Sequence, residues 1–126
     1  MSFRTPLSTV RGLGTANDGS DHFWQQRITG FANLLLAFFV VYAIAQLKGA
    51  DYAGVKAFFQ SPFHMVFAAA FILNTSIHMR LGLQVIIEDY VHAEGAKILL
   101  LILNTFFTSF IILAGIFSLL KLGLGA

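Results

Sequence analysis

The stretch FHMVFAAAFILNTSIHMRLGLQVII, residues 63–87, decides the fold. It is long enough to cross a membrane, because about 20 helical residues span roughly 30 Å of hydrocarbon. It nevertheless contains an arginine and two histidines, and acidic residues and a tyrosine follow it in SIHMRLGLQVIIEDYVH, residues 76–92. Each ionisable group costs free energy in an apolar medium. The stretch therefore predicts a membrane helix whose polar groups serve a function.

Two further apolar runs flank it, and neither contains a charged residue: ITGFANLLLAFFVVYAIAQL at 28–47 and ILLLILNTFFTSFIILAGIFSLL at 98–120. Charged residues make up only 11% of the 126-residue chain, against about 25% in soluble domains. In lipid, a helix satisfies its own backbone hydrogen bonds. We therefore predict an all-α membrane protein with three transmembrane helices, about 28–47, 63–87 and 98–120. They form a domain of residues 28–126 that follows an N-terminal segment of residues 1–27.

The connectors and the flanking charges predict the helix boundaries and the orientation. Gly49, Gly54 and Pro62 are helix breakers in the first connector, KGADYAGVKAFFQSP, and Ser61 can cap the helix that Pro62 begins. By the positive-inside rule, a small excess of basic residues favours a cytoplasmic (or matrix) amino terminus and second connector. On that side lie Arg4, Arg11, Arg27 and Lys97, and on the other side lie Lys48, Lys56 and Lys121.

Composition excludes several classes of function. The chain has no cysteine, which excludes disulfides, thiolate chemistry and cysteine-ligated iron–sulfur clusters within it. Its formal net charge of +2 is too small to suggest nucleic-acid binding.

One face of the second helix carries the residues that are capable of chemistry. At about 100° per residue, Asn74, Thr75 and Gly82 lie within about 60° of His78. If the helix continues, Asp89 lies on the same face, about 16 Å along the axis from His78. His78 is then near the middle of the membrane, and Asp89 and Tyr90 are at the cytoplasmic interface.

His78 has two interpretations. A neutral imidazole in mid-membrane is a good axial ligand for haem iron, and Gly82, one turn along, leaves room for the porphyrin. Alternatively, His78 hydrogen-bonds to a neighbouring helix and Gly82 allows close helix packing. A second haem at His64 is conceivable, but a solvated position at the interface is the simpler expectation there. His64 and His78 cannot share one iron, because they are about 21 Å apart along a helix, so a six-coordinate haem needs a histidine from another chain.

Asp89 and Tyr90 lie where a quinone headgroup enters from the bilayer. The tyrosine hydroxyl can donate to a quinone carbonyl, and Asp89 can accept from a neighbour or hold a proton. The alternative is anchoring at the interface, since tyrosine is enriched at membrane surfaces.

The approach to the first helix, HFWQQR, contains two more candidates. Arg27 can clamp a haem propionate or line a quinone pocket, with Trp24 beside it, although both residues also suit interfacial anchoring. Arg80 lies about 200° from His78 around the second helix, off the ligand face. It reaches either a propionate on a partner's side or merely the interface.

The motif on the second helix has the form H-x3-G-x6-D-Y, from His78 through Gly82 to Asp89 and Tyr90. It resembles the small hydrophobic membrane-anchor subunits of succinate dehydrogenase (respiratory complex II). HFWQQRITGFANLLL is similar to that family's approach to its first helix, especially in alphaproteobacterial members, and the resemblance covers about residues 10 to 120. The companion membrane anchor of those complexes has an Arg-His pair after its glycine, which this chain lacks.

The resemblance implies a chain that packs with this second membrane-anchor subunit and shares one b-type haem with it, with His78 as one axial ligand. The flavoprotein and iron–sulfur subunits would dock on the cytoplasmic face of a bacterial inner membrane, rather than of a mitochondrial one. Electrons from succinate would pass through flavin and clusters to ubiquinone, linking the tricarboxylic acid cycle to the aerobic respiratory chain. Tyr90 would bond the quinone with support from Asp89, and Arg27 would lie near the propionates or the quinone. The chain would have no succinate-oxidising site of its own.

Three other functions stay open on the sequence. A fumarate reductase anchor runs the same chemistry in reverse, and its direction depends on partner potentials and quinone type. A purely structural anchor binds no cofactor. A small transporter or proton channel would use His78, Arg80 and Asp89 as a relay, but the first and third helices offer only Thr, Ser and Asn to complete its path.

Overall fold

The computed structural model of the protein describes Leu7 and residues 16–125, without the side chains of residues 16–18. Arg4, Arg11 and most of the predicted N-terminal segment lie outside the described residues. The described part forms helices only. In chain order these are α1 (Ala16–Leu47), α2 (Tyr52–Gln60), α3 (Pro62–Tyr90) and α4 (Glu94–Leu124).

Three of these helices are long and apolar enough to cross a membrane: α1 from Gly19 to Leu47, α3 and α4. This confirms the predicted all-α fold with three candidate membrane spans. α3 packs against both α1 and α4, whereas α1 and α4 do not pack against each other in the described part of the chain. α3 is therefore the central helix, and its two packed faces decide where its polar residues point.

The helices extend beyond the predicted spans. α1 begins at Ala16, twelve residues before the predicted start at 28, because hydropathy marks the part of a helix that suits hydrocarbon and not the helix itself. α3 continues to Tyr90 and α4 begins at Glu94, so residues 91–93 are all that remain of the second connector. Glu94 in the first turn of α4 suits the positive end of that helix dipole.

The first connector contains α2, which the sequence interpretation missed. The Asp51 carboxylate accepts a hydrogen bond from the Gly54 amide at 2.9 Å and caps the start of α2. The prediction of Gly54 as a breaker is therefore wrong, since it lies inside this helix. Gly49 does interrupt the chain, with a φ of +78° just after α1. Pro62 begins α3 as predicted, with Ser61 before it, but the Ser61 side chain makes no capping hydrogen bond.

Small and polar side chains fill the contact between α3 and α4. Ser76 and Thr108 are only 3% and 2% exposed, and the Asn104 amide donates to the Arg80 carbonyl oxygen at 2.9 Å. A Cβ atom at Gly115 would lie 2.9 Å from Ile72 Cγ2, so the close approach requires glycine there. Most large apolar side chains face outward, as expected for helices that are surrounded by lipid or by partner helices.

Candidate functional site

His78 lies on the face of α3 that packs against α1. Its Nδ1 atom is 3.0 Å from Thr29 Oγ1, which is also 2.7 Å from the carbonyl oxygen of Gln25. A carbonyl oxygen only accepts, so the single hydroxyl proton of Thr29 is donated to Gln25. Thr29 therefore accepts from the Nδ1–H of His78. The proton of the neutral imidazole is thus on Nδ1, and Nε2 keeps its lone pair.

The Nε2 atom of His78 is available to a ligand. It makes no hydrogen bond within the described part of the chain, and the residue is half-buried. The packing alternative thus describes one edge of the ring, since Nδ1 does bond to a neighbouring helix. The other edge presents an unused lone pair from a membrane-spanning helix.

A polar bridge one turn before His78 fixes α3 against α1. The Asn74 amide donates to the Thr29 carbonyl oxygen at 2.8 Å and to Asn33 Oδ1 at 2.7 Å. The Thr75 hydroxyl donates to the same Asn33 oxygen at 3.0 Å. Asn74, Thr75 and His78 therefore share one face, as predicted. Each of these bonds holds α1 at the height of the imidazole.

Two glycines border the same region. A Cβ atom at Gly30 would lie 3.3 Å from His78 Cε1, a crowded distance, so α1 approaches the ring closely only because residue 30 has no side chain. A Cβ atom at Gly82 would lie 3.5 Å from Gln26 Nε2, an ordinary contact. Within this chain, the helix contact therefore needs glycine at position 30 but not at position 82.

A groove of about 760 Å³ opens beside this pair of helices, and Gly30 lines it together with Val85 of α3. His22 and Gln26 also line it, and each has a buried polar atom, Nε2 and Oε1 respectively, without a hydrogen-bond partner among the described residues. Buried polar atoms cost free energy unless they are paired. The groove thus offers unused hydrogen-bonding capacity next to the ring of His78, although His78 is not one of its lining residues.

Arg27 and Trp24 are both exposed near the amino-terminal end of α1. The Arg27 guanidinium lies over the Phe23 ring at 4.1 Å from the centroid, and Trp24 packs edge-on against the same ring. Arg27 lines the groove and Trp24 does not. The structure therefore brings Arg27 toward the His78 region and leaves Trp24 pointing outward.

Asp89 and Tyr90 end α3 and are not brought together with His78. Tyr90 is 79% exposed and Asp89 is exposed beside it. Since eleven residues of helix separate His78 from Asp89, the separation along the axis is about 16 Å, as predicted. Both side chains are free to contact a molecule outside this chain.

Arg80 lies off the His78 face. It shares a small groove with Asp21, His22 and Gln25 from the start of α1 and with Gln84 of its own helix. Arg80 therefore lies near the polar end of α1.

His64 is packed and not solvated, which corrects the sequence expectation. Its ring stacks on Phe58 at 3.9 Å with an interplanar angle of 7°. Nδ1 donates to the Phe58 carbonyl oxygen at 2.9 Å, and Nε2 lies 3.5 Å from the Tyr42 hydroxyl. Both ring nitrogens are engaged within the chain. No group of three or more His, Asp or Glu side chains that could hold a metal ion exists among the described residues.

Comparisons with known proteins agree with this architecture. The sequence profile of the succinate dehydrogenase/fumarate reductase transmembrane subunits matches residues 1–113. The chain belongs to this family. The succinate dehydrogenase hydrophobic membrane anchor subunit of Paracoccus denitrificans is 28% identical over 126 residues, covering 100% of this chain and 97% of that protein. The subunit of the same name from Rickettsia prowazekii is 27% identical over 105 residues, covering 83% and 84%.

A third relative shares more identity over a shorter span. The succinate dehydrogenase membrane anchor subunit of Reclinomonas americana is 37% identical over 91 residues, which cover 64% of this chain and 69% of that protein. The predicted resemblance to anchor subunits of the alphaproteobacterial type is therefore confirmed. As a member of the transmembrane-subunit family, the chain is part of a membrane-bound oxidoreductase complex.

Sequence reasoning missed the contributions of α1 to the site. Thr29 and Gly30 contact the His78 ring, and Asn33 joins the polar bridge. A signal was present, because Thr29 and Asn33 are polar residues four apart in an otherwise apolar run and therefore lie on one helix face. Pairing that face with His78 requires the register between α1 and α3, which the pattern of one helix does not contain.

Proposed function

We propose that this chain is the hydrophobic membrane-anchor subunit of a succinate:ubiquinone oxidoreductase and that His78 is one axial ligand of a b-type haem. The observation that carries the haem assignment is the state of the His78 ring. Its Nδ1–H is bonded to Thr29, and its Nε2 lone pair is free in a membrane-spanning helix. A second anchor subunit would supply the other axial ligand, because His64 has both ring nitrogens engaged.

The residues around His78 fit a haem. Gly82, one turn along α3, has no side chain to collide with a ring beside the helix, and the glycine is not required by packing within the chain. Arg27 and His22 in the adjoining groove suit carboxylates, as guanidinium and imidazole groups do for propionates. His22 would thereby gain a partner for its orphaned Nε2. When bound, the haem supplies one-electron chemistry, and the chain supplies ligation, orientation and charge.

The end of α3 is the proposed contribution to the ubiquinone site. Tyr90 presents a phenol hydroxyl at the membrane boundary, where it can donate to a quinone carbonyl. Asp89 beside it can accept a hydrogen bond or hold a proton. Arg27, one of the basic residues on the same side, can belong either to this pocket or to the propionates.

Orientation and partners follow from the same assignment. The amino terminus and residues 91–93 would face the cytoplasm of a bacterial inner membrane, with the flavoprotein and iron–sulfur subunits docked there. Electrons from succinate would reach the quinone near Tyr90, and this chain would itself oxidise no succinate. All the curated relatives described above are named as succinate dehydrogenase subunits, which supports this direction over fumarate reduction.

A reduced-minus-oxidised visible spectrum of the purified complex tests the haem assignment. We expect a b-type band in the unmodified complex, loss of that band in His78→Ala, and retention of it in His64→Ala. His64 is the matched control because it lies on the same helix and has no free ring nitrogen. The absence of a band from the unmodified complex, or its survival in His78→Ala, would refute the ligation and leave a structural anchor.

Steady-state kinetics test the quinone assignment separately. We expect Tyr90→Phe to raise the KM for ubiquinone and lower succinate:quinone activity, while succinate oxidation by a water-soluble acceptor stays unchanged. Tyr52→Phe is the matched control, since Tyr52 is also exposed, at 67%, but begins α2 at the other end of the bundle. Equal kinetics for the two variants would remove Tyr90 from the quinone site.

A further inference from the structure

We infer that Thr29 is a positioning residue for the haem ligand, whose hydroxyl oxygen sets the tautomer, the orientation and the donor strength of the His78 ring. The inference rests on the proposed ligation by His78. It goes beyond that proposal because it assigns control of the haem potential to a side chain of a different helix.

The hydrogen bonds form a directed chain. His78 Nδ1–H donates to Thr29 Oγ1 at 3.0 Å, and the Thr29 hydroxyl donates to the Gln25 carbonyl oxygen at 2.7 Å, with the Gln26 carbonyl oxygen further off at 3.2 Å. The reverse direction is excluded, since it would leave two lone-pair atoms facing each other at 2.7 Å. In such chains each bond polarises the next.

An acceptor on Nδ1–H makes Nε2 more basic. Partners of this kind around metal-bound histidines fix the tautomer and strengthen the ligand. A stronger imidazole donor favours the ferric over the ferrous state, so the Thr29 oxygen lowers the haem potential. Removal of that oxygen, with nothing in its place, raises the potential.

The geometry is fixed from both sides, so the contact is not incidental. The Thr29 carbonyl oxygen accepts from the Asn74 amide at 2.8 Å, which holds this turn of α1 against α3. The next residue, Gly30, brings backbone to the Cε1 edge of the ring, where a Cβ atom would lie at only 3.3 Å. Thr29 and Gly30 together thus border the Nδ1 and Cε1 atoms of His78, and the ring cannot swing toward α1.

A redox titration of the haem band in the purified complex tests the inference. Thr29→Val and Thr29→Ala both remove the acceptor oxygen, and Thr29→Ser keeps it. Thr105→Val is the matched control, because the Thr105 hydroxyl makes the same type of backbone bond, to the Leu101 carbonyl oxygen at 3.1 Å, on an exposed face of α4. We expect a higher midpoint potential in the first two variants and no change in Thr29→Ser or Thr105→Val.

The size of the effect can be bounded. Loss of a partner of this kind costs about 10- to 100-fold in metal affinity. A tenfold loss that falls on the ferric form alone raises the potential of a one-electron couple by about 59 mV. Loss of haem from Thr29→Val and Thr29→Ala, with haem retained in Thr29→Ser, would support the same conclusion as an extreme case.

Two results would overturn the inference. An unchanged midpoint in both Thr29→Val and Thr29→Ala would show that the acceptor has no influence on the iron. An equal shift or loss in Thr29→Ser would show that side-chain volume, and not the oxygen, is what matters. Survival of the band in His78→Ala would instead refute the underlying ligation, so the two failures are distinguishable.

Discussion

Two histidines lie fourteen residues apart on α3, and their surroundings differ in the property that decides metal binding. His64 has both ring nitrogens engaged, by the Phe58 carbonyl oxygen and the Tyr42 hydroxyl. His78 has one nitrogen engaged, by Thr29, and one free. Both residues belong to the same apolar helix, so the helix itself does not distinguish them. The difference comes from what α1 and α2 bring to each ring.

The role of His64 follows from the position of its acceptor. Phe58 lies in the last turn of α2, where carbonyl groups have no partner within the helix. His64 Nδ1–H satisfies one of these carbonyls, and its ring stacks on Phe58. His64 therefore ties α2 to the start of α3. A structural histidine and a candidate ligand thus occur on one helix, each defined by its neighbours.

Chemical rescue gives the sharpest test of the comparison and the largest expected effect. We expect His78→Gly to lose the haem band, and added imidazole to restore it by occupying the vacated space and coordinating the iron. The visible spectrum with increasing imidazole measures this. In His64→Gly we expect a normal band that does not respond to imidazole. Rescue in neither variant, with the band present in both, would place the iron elsewhere.

Crowding the His78 ring should have the next largest effect. We expect Gly30→Ala to lower haem occupancy, because the new Cβ would lie 3.3 Å from His78 Cε1 and would displace the ring. Overpacking of this kind costs about 1–3 kcal/mol. The haem-to-flavin ratio of the purified complex measures it. Gly95→Ala is the control, since its Cβ would meet no atom within 4 Å, and equal ratios for the two variants would contradict the crowding.

The contrast between these histidines also shows how far the sequence can be interpreted. The three spans and the shared face of Asn74, Thr75 and His78 were predictable, because hydropathy and the period of 3.6 residues are properties of one segment. The environment of His64 was not. Its packing depends on α2, a short helix whose start is set by the Asp51 cap, and hydropathy contains no signal for that cap.

The candidate site was predictable to the same limit. His78 stood out because an ionisable group within a membrane span requires a reason. Thr29 and Gly30 did not, since a threonine next to a glycine in an apolar helix usually serves close packing. Only the register of α1 on α3 places them at the ring and gives His78 its tautomer.

Loss of the His64 ring should lower stability without touching the spectrum. We expect His64→Ala to cost about 2 kcal/mol, from one aromatic pair at about 0.5–1.5 kcal/mol and the Phe58 hydrogen bond at about 0.5–1.5 kcal/mol. The thermal midpoint of the detergent-solubilised complex measures this. His64→Phe separates the two contributions, because it keeps the stacked ring and removes the bond. A normal midpoint in His64→Ala would show that α2 is held by other contacts.

The smallest expected effect belongs to the other partner of His64. The Tyr42 hydroxyl lies 3.5 Å from Nε2, at the limit of a hydrogen bond, and the residue is 44% exposed. Tyr42→Phe keeps the ring, which also packs on Phe58, so we expect a loss below about 0.5 kcal/mol, less than a typical intramolecular hydrogen bond contributes. The same thermal midpoint measures it, with His64→Ala as the reference. A loss in Tyr42→Phe as large as that in His64→Ala would show that the Nε2 contact, and not the stacking on Phe58 with its carbonyl bond, holds His64 in place.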